Sequence, residues 1–123
     1  MEDDNEPQRI YEDLVSQVAP LTPEREVQLA ATIQAGGPDA DAATKELVEA
    51  NLGLVIEIAK SYQAANLPIL DLVQQGNDGL IEAVRVFVPA QGSRFAAFAA
   101  AFVHRSLDTL PELAPSRFAH MQD

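Results

Sequence analysis

The sequence predicts an all-α protein, and three observations carry that prediction. Ala, Leu, Glu and Gln, all good helix formers, dominate its 123 residues. Apolar residues recur at helical spacing and do not alternate as a half-buried strand would. Pro and Gly cluster between the periodic stretches, at Pro20, Gly36-Gly37-Pro38, Pro68 and Pro89. Length and spacing together predict one compact domain of about five helices over residues 7–110. Residues 1–6 read as an unfolded acidic tail, and residues 111–123 as a second tail beyond Pro111.

The first helix is predicted from about Pro7 to Val18, with Ile10, Leu14, Val15 and Val18 as its buried face. Pro20 ends it. Thr22-Pro23 then starts the second helix: a hydroxyl cap, followed by proline where its missing N–H costs nothing. Leu29, Ile33, Val27 and Ala30 form its buried side, and Gly36-Gly37-Pro38 stops it. Asp39 or Asp41 caps a third helix that runs to Tyr62. Its stretch from Leu52 to Ala59 is apolar nearly all round, as a central core helix is.

Ala65-Asn66-Leu67-Pro68 reads as a turn. The segment from Ile69 to Phe87 keeps helical spacing, yet Gly76-Asn77-Asp78-Gly79 looks like a turn within it. Each internal glycine costs roughly 1 kcal/mol in a helix, so pattern alone allows one long helix or two short ones. Val88-Pro89-Ala90-Gln91-Gly92 is a loop. The last helix is predicted from Ser93 to Leu110, with Phe95, Phe98, Ala99 and Phe102 at helical spacing.

Composition excludes several function classes. With no cysteine there is no disulfide framework, thiolate metal site or cysteine nucleophile. No glycine loop followed by Lys cradles a phosphate, and no His–carboxylate set has metal-ligand spacing. His104 and His120 stand far apart in sequence. Catalysis therefore has no starting point, and neither enzyme activity nor a cofactor is expected. No stretch is long and apolar enough for a membrane span, and the acidic MEDDNEP start is unlike a secretory signal. The cytoplasm is the expected location.

The net charge of −11 argues against non-specific nucleic-acid binding. The charge is unevenly spread. Residues 1–83 hold 16 acids and 4 bases, whereas residues 84–123 hold 3 acids and 4 bases. Contact with DNA would fall in the second part.

Two stretches carry a more specific signal. Leu47-Val-Glu-Ala-Asn-Leu-Gly-Leu-Val-Ile-Glu-Ile-Ala-Lys-Ser-Tyr62 is similar to the core helix of bacterial RNA polymerase sigma factors of the primary type. Leu70-Asp-Leu-Val-Gln-Gln-Gly-Asn-Asp-Gly-Leu-Ile-Glu-Ala-Val-Arg-Val-Phe87 resembles that family's next segment, which matches at Asp71, Leu72, Gln74, Gly76, Asn77, Gly79, Leu80, Ala83, Val84 and Phe87. Upstream, Ile10-Tyr11, Leu21-Thr22 and Glu26-Val-Gln-Leu-Ala30 resemble the region before that core.

The resemblance implies a fold like the second conserved region of sigma factors with its preceding helices. It implies that Ile69–Phe87 is one continuous helix, whose glycines admit a closely packed neighbour. It also implies that the polar residues face a partner, the coiled coil in the largest subunit of RNA polymerase core. The residues carried over to that contact are Asp71, Gln74, Gln75, Asn77, Leu80 and Ile81; Gln75 stands where the family usually has Glu. Spacing alone would make Gln74 and Asn77 merely solvated.

The family's following segment melts and reads promoter DNA with stacking aromatics and phosphate-holding bases. Here its residues are sparse. Arg94, Phe95, Phe98, Phe102 and Arg105 keep some of that character, while Ala90-Gln91, Ser93, Ala96, Ala97 and Ala101 replace basic, aromatic or hydroxyl residues. Each lost stacking platform forfeits roughly 1–3 kcal/mol per base. Phe95 and Phe102 are expected to pack inward, leaving Phe98 as the exposed ring.

The leading expectation is a sigma-like transcription protein that docks on polymerase core, with weak promoter-DNA contact and a second sigma-like subunit to supply what is lost. The alternative is a sigma mimic that acts as a protein-interaction module toward an anti-sigma or other protein, without DNA. A helical oligomerisation module built on the Ala/Phe helix face is the third reading.

Overall fold

A computed structural model describes residues 6–62, 67–89 and 93–110. The described chain is helical: α1 Glu6–Ser16, α2 Pro23–Ala35, α3 Ala40–Glu49, α4 Leu52–Lys60, α5 Ile69–Val86 and α6 Phe95–Asp108. The all-α expectation holds. Residues 1–5, Ala65-Asn66 of the expected turn, Ala90-Gln91-Gly92 of the expected loop, and the tail from residue 111 with His120 lie outside the described residues.

Local chemistry explains most boundaries. Thr22 caps α2 as expected, its Oγ1 accepting a 3.0 Å bond from Arg25 N. Gly36 closes α2 at φ 71°, the left-handed conformation that glycine adopts without a Cβ clash. Neither Asp39 nor Asp41 gives α3 a side-chain cap: Asp39 occupies the cap position without such a bond, and Asp41 already lies inside the helix.

The expected third helix is in fact two. Its register breaks at Ala50-Asn51, where Asn51 Nδ2 donates to Leu47 O at 2.8 Å. An asparagine side chain that competes for a helical carbonyl favours such a break. The uncertainty over Ile69–Phe87 resolves the other way: α5 is continuous for 18 residues despite its two glycines.

The core gathers around α5, which packs against α6, α4, α3 and α2. Leu47, Val55, Ala59, Leu72, Leu80, Ala83, Phe95, Ala99, Val103 and Leu107 are wholly buried. The α5–α6 contact is backbone-close. A Cβ on Gly79 would occupy the place of the Phe102 carbonyl oxygen, and one on Gly76 would come within 2.7 Å of a Val55 methyl. The helix cost of these glycines is offset by packing that no larger residue permits.

Two apolar expectations fail. Val27 is exposed on α2. On α1 no residue is buried: Ile10 and Leu14 stand 53% and 59% exposed, and Val18, beyond the end of the helix, 40%. Only Val15 and Tyr11 of that helix turn toward the core. α1 lies on α4 through Val15 beside Gly53 and a 3.6 Å ion pair between Glu12 and Lys60.

Candidate functional site

α5 divides the residues carried over by resemblance into two sides. Leu72, Val73, Gly76, Gly79, Leu80, Ala83 and Val84 are buried and fix the helix on the core. Asp71 and Gln74 are exposed on the opposite side, with Asn77 and Ile81 half-buried at its margin. Leu80 therefore lies in the core rather than on the accessible edge. Gln75 is also turned inward. Its Nε2 donates to Ser106 O at 3.0 Å and lies 3.3 Å from Ser106 Oγ, which itself donates to Gln75 O at 2.6 Å. Gln75 thus joins α5 to α6 through its amide nitrogen.

The outward residues border a shallow groove. Tyr11 from α1 forms one wall, and Leu70, Asp71, Val73, Gln74 and Asn77 form the rest, around a volume of about 300 Å³. Asn77 Oδ1 is buried there and accepts no hydrogen bond among the described residues. A buried carbonyl left in this condition costs roughly 1–3 kcal/mol. Exposed Asp71 and Gln74 at the groove's edge suit a hydrogen-bond donor, and the Asp71 carboxylate favours a cationic one.

The α6 face is assembled differently. Phe95 is buried edge-on to Phe87, with ring centres 5.1 Å apart. Phe98 packs on Phe87 at 5.2 Å and on Phe102 at 5.0 Å; both Phe98 and Phe102 are half-buried. Phe102 thus turns less inward, and Phe98 less outward, than their spacing suggested. Arg105 lies over the Phe102 ring, 5.1 Å from its centre, in a cation–π contact. Phe98, Phe102 and Arg105 consequently share one face at i, i+4 and i+7.

Arg94 does not join them. Its Nε and Nη2 donate to the two carboxylate oxygens of Glu26 at 3.1 and 3.2 Å, and Nη2 also reaches Leu21 O. These contacts raise the Arg94 pKa above its ordinary value, chiefly through the hydrogen bond to Glu26. Glu26 Oε1 further accepts the Phe95 N–H, so a side chain of α2 caps the start of α6.

Glu26 is buried. Its signal was present in the sequence: it stands three, four and seven residues before Leu29, Ala30 and Ile33, on the apolar face of α2. Tyr62 is a second joint that periodicity did not reveal. Its hydroxyl lies 2.9 Å from His104 Nδ1 and 3.1 Å from Asp108 Oδ1, tying α4 to α6.

The described residues hold no group of His, Asp or Glu side chains arranged for a metal ion. No described helix is long and apolar enough to cross a membrane.

This is an all-helical domain with a polar edge on α5 and a half-buried aromatic face on α6. Residues 47–109, about half the chain, match the family model described as sigma-70 region 2. The chain is 36% identical over 103 residues to RNA polymerase sigma factor SigA of Lactococcus lactis subsp. cremoris, covering 84% of this chain and 28% of that protein. It is 39% identical over 103 residues to SigA of Clostridium acetobutylicum, covering 84% and 26%. RpoS of Coxiella burnetii is 38% identical over 88 residues, covering 72% and 24%. The chain belongs to the sigma-70 family. It spans about a quarter of the length of these relatives.

Proposed function

We propose that this chain is a sigma-type transcription-initiation module that docks on RNA polymerase core through the outer edge of α5 and contributes little to promoter melting. The edge comprises Asp71, Gln74, Asn77 and Ile81. The observation that carries the reading is the groove beside α5, whose edge presents the exposed polar side chains of Asp71 and Gln74. Exposed polar side chains around a concave surface suit an interface completed by another chain. The relatives are RNA polymerase sigma factors, which makes core polymerase the partner of choice.

Weak melting follows from what α6 lacks. Arg94 is engaged by Glu26 and Phe95 is buried, leaving Phe98, Phe102 and Arg105 for any contact with DNA. Alanines at 96, 97 and 101 supply neither stacking area nor donors. The net charge of −11 opposes phosphate binding further.

Binding of labelled chain to purified bacterial core polymerase tests the docking. Wild type binds at or below micromolar concentration, and a Gln74→Ala/Asn77→Ala variant loses at least about tenfold in affinity. Absence of wild-type binding would sink the reading. The depleted α6 face favours a second reading, a sigma mimic that binds only proteins. Salt-sensitive promoter binding that disappears in Phe98→Ala or Arg105→Ala would remove it.

A further inference from the structure

We infer that the chain associates with copies of itself head to tail, the acidic apolar face of α1 on one copy seating on a basic apolar face that the end of α5 and α6 form on the next. The inference is independent of the docking reading, because it concerns the free chain and not the outer edge of α5. It starts from the apolar side chains left in water. Six large ones are exposed among the described residues, and all but Val27 fall in two places. Ile10 and Leu14, one turn apart on α1, and Val18 just past its end form the first. Val86 and Val88, 51% and 71% exposed at the end of α5, belong to the second.

The second place extends onto α6. Phe87, between the two valines, packs on Phe98, which packs on Phe102, and Arg105 lies over the Phe102 ring. Phe98 and Phe102 are only half-buried, so apolar surface leads from the valines to Arg105.

Opposite charges border the two faces. α1 carries Glu6, Glu12 and Asp13 against Arg9, and Glu6 and Asp13 are exposed. From residue 84 to residue 110, Arg85, Arg94 and Arg105 stand against Asp108 alone, and Arg85 and Arg105 are exposed. Each face thus offers the charge that the other lacks beside a comparable apolar stripe. Two copies with a net charge of −11 repel each other elsewhere, which selects this pair of faces over α1 on α1.

Within one copy the faces lie apart. Tyr11 of α1 borders residues of the first half of α5, from Leu70 to Asn77. Val86 ends that helix at least about 13 Å further along. A contact between unlike faces is heterologous, and each added copy leaves one of each face open.

Sedimentation velocity of the full chain tests this. Few residues meet, so wild type should associate at about 10–100 µM, with a mean mass that passes beyond the dimer as concentration rises. Leu14→Asp breaks one face and Val88→Asp the other, and each alone should weaken association at least about tenfold. Mixed in equal amounts, the two variants should form a dimer that grows no further, since one intact pair of faces remains. Loss of α1 helicity in Leu14→Asp, followed by circular dichroism, does not alter that result, because its partner supplies the α1. Arg105→Glu should weaken association about threefold more than Lys45→Glu, which makes the same change of charge at an exposed position of α3. The inference is overturned by a wild-type chain that stays monomeric or stops at the dimer, by either apolar variant associating like wild type, by a mixture that does not associate, or by equal effects of Arg105→Glu and Lys45→Glu.

Discussion

The outer edge of α5 and the outer face of α6 lie on neighbouring helices but use their polar residues in opposite ways. On α5, Asp71 and Gln74 point to solvent and Asn77 keeps an unpaired oxygen. On and around α6, polar groups are engaged within the fold: Arg94 by Glu26, Ser106 by Gln75, and His104 by Tyr62. The first edge has groups to offer a partner. The second has largely turned its groups to holding the domain together. A residue type retained in a sequence thus says little about function until its hydrogen bonds are accounted for.

Substitutions that separate structural from interfacial roles sharpen this contrast. The largest effect is expected at the seam between the helices. Gly79→Ala drives a methyl into the Phe102 carbonyl, and backbone cannot move aside as a side chain can. It should destabilise the fold by about 3 kcal/mol in urea denaturation. Gly76→Ala meets a Val55 methyl and should cost less, about 1–2 kcal/mol. Equal costs would mean that α6 shifts more readily than its packing indicates.

Next is the cap of α6. Glu26→Ala removes the acceptor of the Phe95 N–H and should cost about 1–2 kcal/mol, with loss of helicity at the start of α6. It also frees Arg94, so any residual DNA affinity should rise. A fall in DNA affinity with the fold intact would break the contrast, because Arg94 would then need Glu26 to contact DNA.

Gln75→Ala should cost about 1 kcal/mol through the lost tie to Ser106, whereas Gln74→Ala should leave stability within about 0.5 kcal/mol of wild type. The reverse order would place Gln75, not Gln74, on the free edge.

The smallest effect is that of the exposed bidentate pair between Arg25 and Glu46, at 2.8 and 2.9 Å. Its hydrogen bond to Arg25 lowers the Glu46 pKa below the ordinary 4.5. A lowered carboxylate pKa stabilises the fold above 4.5 and loses that contribution as pH falls through the folded value. Glu46→Gln should therefore lower stability slightly near neutrality, converge with wild type at low pH and so flatten the acid limb of a stability–pH curve. A difference that persisted at low pH would mean that the Glu46 side chain also orders α2 against α3 by contacts independent of its charge.

Much of the fold was legible because the signals are local. Thr22-Pro23 and Gly36 mark the ends of α2 by backbone chemistry that depends on no other helix. The apolar run of α4 and the spacing of α5 identify buried faces by period alone. The candidate edge was legible only through resemblance, since Gln74 and Gln75 are the same residue type one position apart.

Sequence by itself determined the all-α class, both caps of α2 and, by resemblance, a set of candidate docking residues. Tertiary structure alone decided which of them are free. A helical period assigns each side chain an angle but not what stands opposite it. The burial of Glu26 depends on the start of α6 arriving at α2, and the inward turn of Gln75 depends on Ser106. The exposure of Ile10 and Leu14 depends on α1 meeting the domain through Val15 and Tyr11 instead. These pairings join residues far apart in the chain, and their energies exist only once the helices have packed.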